Sequence, residues 1–88
     1  MSYLATARAA WAQRPWNDND AHKDIAATME RIGRACPHTE PSALNDQKIA
    51  DLEEAVNLAC HHRDRPALQR ALDLLEDRCL DAYGWRRR

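Results

Sequence analysis

Residues 45–83, NDQKIADLEEAVNLACHHRDRPALQRALDLLEDRCLDAY, decide the fold. Within them Ile49, Leu52, Val56 and Ala59 recur at intervals of 3, 4 and 3, and Leu68, Leu72, Leu75 and Cys79 at 4, 3 and 4. Such spacing lines up one face of a helix, so each run predicts an amphipathic helix with a buried stripe. Asp51, Glu53, Glu54 and Asn57 fall largely on the opposite side of the first helix. Asn45 is the expected N-cap there, with Leu44 before it and Ile49 four residues after it in the spacing of a hydrophobic staple. Asp64 and Pro66 open the second helix, since proline is tolerated in a first turn. Gly84 is the expected left-handed stop. A connection this short makes the two helices, over about 45–62 and 65–83, a long antiparallel hairpin.

Upstream, Asn17-Asp18-Asn19-Asp20 supplies a cap and acids for the positive end of a helix dipole. Ile25, Met29, Ile32 and Cys36 follow at 4, 3 and 4, and Pro37 disfavours helical geometry at Cys36, which predicts a helix over 18–35. Ser2 and Pro15 bracket a further, alanine-rich helix over about 2–13. The expectation is therefore all-α: a small antiparallel bundle of about four helices in a single domain, 1–88, with a basic C-terminal tail at 84–88. In that topology Cys36 and Cys79 lie at one end of the bundle and Cys60 at the other. Helices of this length separate those ends by roughly 25 Å.

Composition fits a slim bundle. The 88 residues include 16 Ala but only 13 Leu, Ile and Val together, with no Phe. A chain this short buries only about 60% of the surface it exposes when unfolded, so a thin core of Ala and Leu gives a marginally stable unit. A parallel α/β nucleotide fold is excluded by one Val, three Ile and two isolated glycines, Gly33 and Gly84. No apolar run reaches the roughly 20 residues of a membrane span, and Arg8 interrupts the only alanine-rich start. Three cysteines, an odd number, suit reduced thiols in the cytoplasm.

The net charge of −1 hides an uneven distribution. Residues 1–16 carry +2, residues 17–62 carry −5, and residues 63–88 carry +2. A duplex-binding domain is usually basic overall, so the balance counts against nucleic acid. The segment Trp85-Arg86-Arg87-Arg88 nevertheless joins an indole to three guanidinium groups, suited to phosphates, to bases or to an acidic protein groove.

Signatures of chemistry are sparse. Cys60-His61-His62, with His22 near the same end, is the leading metal candidate, yet consecutive helical residues point about 100° apart and no CxxC, HxxxH or HExxH spacing is present. No metal or cofactor is expected. Glu53-Glu54 and Glu76-Asp77 diverge in direction for the same reason, and no hydroxyl or thiol sits in a nucleophile elbow, so no catalytic residue is assigned.

By elimination the sequence reads as a small non-catalytic interaction protein that docks on a larger protein to regulate, inhibit or help assemble it. The expected contacts are the acidic residues Asp51, Glu54, Asp73 and Asp77, with Trp11, Trp16, Trp85, Arg86, Arg87 and Arg88 as anchors. A homodimer that covers spare helix faces is a further expectation. The alternatives are a nucleic-acid-associated regulator using Arg63, Arg65 and Arg70 or the terminal arginines, and a small metal-binding helical module.

Overall fold

The computed structural model describes residues 15–37 and 41–84. Those residues form three helices and no strand: α1 (Asp18–Ala35), α2 (Gln47–His61) and α3 (Arg65–Tyr83). The helix expected over 2–13 and most of the basic tail lie outside the described residues.

Each helix start is fixed by one side chain. Asn17 Oδ1 accepts from the backbone N–H of Asn19 (2.8 Å) and of Asp20 (3.2 Å), capping α1. Asp64 Oδ1 accepts from Ala67 N–H at 3.1 Å and caps α3, with Pro66 in its first turn. The α2 cap differs from expectation. It is Asp46, not Asn45, whose Oδ1 accepts from Lys48 N–H (3.0 Å) and Ile49 N–H (3.3 Å). Asn45 lies in a turn, and Leu44 is 94% exposed, so no hydrophobic staple forms. Asp46 prevails because its second oxygen is gripped by α3: Arg78 Nη2 donates to Oδ2 at 2.7 Å and Tyr83 Oη–H at 2.9 Å.

Helix ends follow local rules as well. The residue before Pro37 leaves the helical region, and α1 stops at Ala35 with the Cys36 N–H bonded to Ile32 O at 3.0 Å. After α2, Arg63 takes the left-handed conformation at φ 53°. Its N–H reaches Cys60 O (3.2 Å) while Asp64 N–H reaches Ala59 O (2.9 Å), the two bonds of a Schellman turn. Asp64 thus closes one helix and opens the next. Gly84, by contrast, is extended (φ −68°, ψ 132°) rather than left-handed. Glycine is required there because a Cβ would collide with the backbone of Leu80.

The core forms two contiguous clusters with α3 at the centre. One joins Ala21, Val56, Ala59, Leu68, Ala71 and Leu72. The other joins Ile32, Cys36, Ile49, Leu75 and Cys79. Early α1, late α2 and early α3 share the first cluster, and the opposite ends share the second, so α1 runs with α3 and α2 runs against both. The expected stripes on α2 and α3 are the buried ones, apart from Leu52, which is half-buried. On α1 the stripe shifts. Met29 is 42% exposed and Thr28 takes its place inside, because the threonine hydroxyl donates to Asp24 O (2.9 Å) and accepts from Arg31 Nη2 (3.2 Å). A buried hydroxyl so satisfied carries little desolvation cost.

Candidate docking surface

Several charged side chains are engaged between elements. Arg31 forks onto Glu76 with Nε–Oε1 3.0 Å and Nη2–Oε1 2.9 Å, tying α1 to α3. Arg65 is only 2% exposed and is held by Asp24 at 3.0 Å and Asp20 at 3.9 Å. Asp24 also accepts from Gln69 Nε2 at 3.2 Å. The Arg78–Asp46–Tyr83 cluster ties the start of α2 to the end of α3, and the Arg78 guanidinium holds the Asp46 carboxyl down to about 2, with Tyr83 and the Ile49 N–H acting in the same sense against burial. Burial raises all three thiols, Cys79 to about 11, so they are protonated at neutral pH, the opposite of an activated nucleophile. Cys36 Sγ–H donates to Cys79 O at 3.6 Å, placing these two at one end and leaving Cys60 in the other cluster. His61 and His62 meet edge to face at 5.2 Å. Among the described residues no group of three or more His, Cys, Asp or Glu is placed to hold a metal ion.

The outer sides of α2 and α3 each carry an exposed ridge. Gln47, Asp51, Glu54, Leu58 and His61 recur at 4, 3, 4 and 3 along α2 and are all exposed, which makes them one ridge. Leu58 stands 51% exposed within it, beside Glu54 and Asp51. Asp51 accepts from Gln47 Nε2 at 2.9 Å, a contact within the ridge itself. A second ridge on α3 holds Pro66, Arg70, Leu74, Asp77 and Asp81, again all exposed, with Leu74 at 48%. Between the ridges runs a shallow groove lined by Lys48, Leu52, Leu74, Asp77, Arg78 and Asp81.

The residues expected to make contacts therefore separate. Asp51 and Glu54 share the α2 ridge, whereas Asp77 lies on the α3 ridge and lines the groove with Lys48 and Leu52. Asp73 is half-buried in a different cleft, between α1 and α3, with Asp24, Thr28, Arg31 and Gln69. Trp16 is half-buried against the Ala21–Leu72 cluster, and its Nε1–H donates to Asp18 Oδ1 at 2.8 Å, so it covers core. Trp11, Trp85, Arg86, Arg87 and Arg88 lie outside the described residues. Of the internal arginines considered for nucleic acid, Arg65 is sealed into its ion pair, whereas Arg63 and Arg70 are exposed. Leu58 and Leu74 were not singled out by the sequence stripes. The signal was present: each is a large aliphatic that the stripes 49–52–56–59 and 68–72–75–79 leave out.

A scan against protein-family models finds no match, and comparisons with curated proteins and with solved structures find none either. No helix among the described residues is long and apolar enough to cross a membrane.

Proposed function

We propose that the chain is a small non-catalytic interaction protein of the cytoplasm, which docks on a larger protein through the outer ridge of α2 and so regulates, inhibits or helps assemble it. The observation that carries the reading is Leu58, half in solvent on a ridge whose charged neighbours, Asp51 and Glu54, are both acids. A leucine presented by a rigid helix suits an apolar socket, and the two carboxylates suit a basic rim around it. The engagement of Arg31, Arg65, Arg78, Asp24, Asp46 and Glu76 in contacts between elements supports binding over catalysis. The fourth helix expected over 2–13, packed on the α2–α3 hairpin, and the terminal anchors Trp11, Trp85, Arg86, Arg87 and Arg88 belong to the same reading.

Affinity capture from the native host with the full chain, followed by mass spectrometry, tests it. A protein recovered in stoichiometric amount by the wild type, and lost with the combined Glu54→Lys and Leu58→Asn variant, supports the proposal, provided circular dichroism shows the variant folded. Recovery of nucleic acid alone, lost on removing Arg86–Arg88, overturns it in favour of the nucleic-acid alternative. A partner retained equally by the folded variant removes the α2 ridge as the docking site.

A further inference from the structure

The α3 ridge has a property that the α2 ridge lacks: it carries both signs of charge, one on each side of an exposed leucine. Arg70 lies four residues before Leu74 and Asp77 three residues after it. At 1.5 Å per residue, the guanidinium is based about 6 Å to one side of Leu74 and the carboxylate about 4.5 Å to the other. Neither Arg70 nor Asp77 makes a hydrogen bond or ion pair with another described residue.

We propose that this ridge is the contact of an isologous homodimer, in which α3 lies antiparallel on α3 of a second copy with the two-fold axis at Leu74. The arrangement follows from the charges. Turning α3 about an axis at Leu74 brings Asp77 of the second copy within about 1.5 Å of the level of Arg70, and the same operation forms the reciprocal pair. A parallel arrangement would instead set Arg70 on Arg70 and Asp77 on Asp77. A copy of Leu74 then meets the groove between α2 and α3, where Leu52 and Leu74 provide apolar wall and Lys48 and Asp81 the edges. A helix of this length offers a strip of only about 300 Å², short of the roughly 800 Å² per partner of a standard interface, so the α2 wall of the groove must join in and the dimer is a weak one, dissociating in the micromolar range. The Asp51–Glu54–Leu58 ridge stays outside this contact, so the dimer and the docking of a larger protein fail separately.

The test is sedimentation equilibrium of the full chain from about 1 µM to about 1 mM, with circular dichroism of every variant to verify folding. The wild type is expected to show a monomer–dimer equilibrium. Arg70→Glu and Asp77→Arg should each weaken it by about tenfold or more, because one substitution reverses two pairs at once. The combined R70E/D77R chain should recover to within about threefold of the wild type, since both pairs reform with their signs exchanged, and Leu74→Glu should leave only monomer. Dimerisation that R70E and D77R leave unchanged, a double variant no better than its parents, a folded L74E chain that still dimerises, or a wild type monomeric throughout the range would each overturn the proposal.

Discussion

Replacing Asp24 by alanine should destabilise the protein more than replacing Arg65 by methionine, although the two substitutions break the same ion pair. Arg65 is the buried member, at 2% side-chain exposure against 19% for Asp24. Removal of Asp24 leaves a guanidinium inside the fold without its 3.0 Å carboxylate, with Asp20 farther off at 3.9 Å. Removing one partner of a buried pair costs about 3–5 kcal/mol, and the partial exposure of Asp24 together with the presence of Asp20 reduces this to about 2–3 kcal/mol. Arg65→Met removes the buried charge but keeps an unbranched stem against the core. It leaves Asp24 at the edge of solvent, still accepting from Gln69 Nε2, so its cost should be about 1 kcal/mol or less. With a total stability of roughly 4–13 kcal/mol for a chain of this size, the Asp24→Ala loss lowers the thermal midpoint by roughly 10–20 °C. Urea titrations followed by far-ultraviolet circular dichroism on both single variants and the double variant give the cycle. The double variant should lie close to R65M, because no buried charge remains to be stranded. An R65M cost equal to or above that of D24A, or a double variant equal to the sum of the singles, would refute the account.

Three further outcomes follow from particular contacts. Arg63→Gly should raise stability by roughly 0.5–1 kcal/mol, the left-handed strain relieved at φ 53° exceeding the added freedom of the unfolded chain, as measured by denaturant midpoint. Asp46 has its folded value lowered to about 2 from an ordinary value near 4, so its contribution is fully present above about pH 4 and is lost as pH falls towards 2. Asp46→Asn keeps a capping oxygen but removes the charge, so its thermal midpoint should fall less steeply than that of the wild type across that window. Alkylation of the native protein should label half-buried Cys60 first and leave Cys36 and Cys79 intact until denaturant is added, which intact mass and peptide mapping would show.

Much of the fold is legible in the sequence where one local signal has no competitor. Pro37 stops α1 whatever surrounds it, Asp64 with Pro66 starts α3, and the 4-3-4 stripe of α3 is buried throughout. The misreadings occur where two neighbouring residues offer the same local service and a distant one chooses between them. Asn45 and Asp46 are equal candidates for a cap until Arg78 and Tyr83, more than thirty residues away, engage the aspartate. Thr28 and Met29 are adjacent on the edge of the α1 face, and the backbone oxygen of Asp24 with the Arg31 guanidinium makes the polar one the better core residue. Residue type alone points to a left-handed Gly84 after α3, yet Gly84 is extended, and it is Arg63, closing α2, that takes the left-handed conformation. The candidate site was legible in part: Asp51, Glu54 and Asp77 lie on exposed ridges, whereas Asp73 and Trp16 are drawn into packing that no local pattern specifies.

The charges of α3 explain why its ridge and that of α2 call for different partners. Glu76 answers Arg31 of α1, Arg65 answers Asp24 of α1, and Arg78 answers the carboxylate that caps α2. Each of these pairs joins α3 to another element, which suits a thin core whose two clusters both depend on α3 as their common member. A helix so committed on two sides has one side left, and there Arg70 and Asp77 repeat the opposite-charge pattern without a counterpart in the described chain. A surface that carries both signs about a central leucine can be complemented by itself, and a two-fold axis supplies that complement without any new sequence. The α2 ridge cannot be satisfied in that way. Its charged members are Asp51 and Glu54, a second copy would bring only more acid, and like charges brought together across an interface cost several kcal/mol, so its partner must come from a different, basic protein surface.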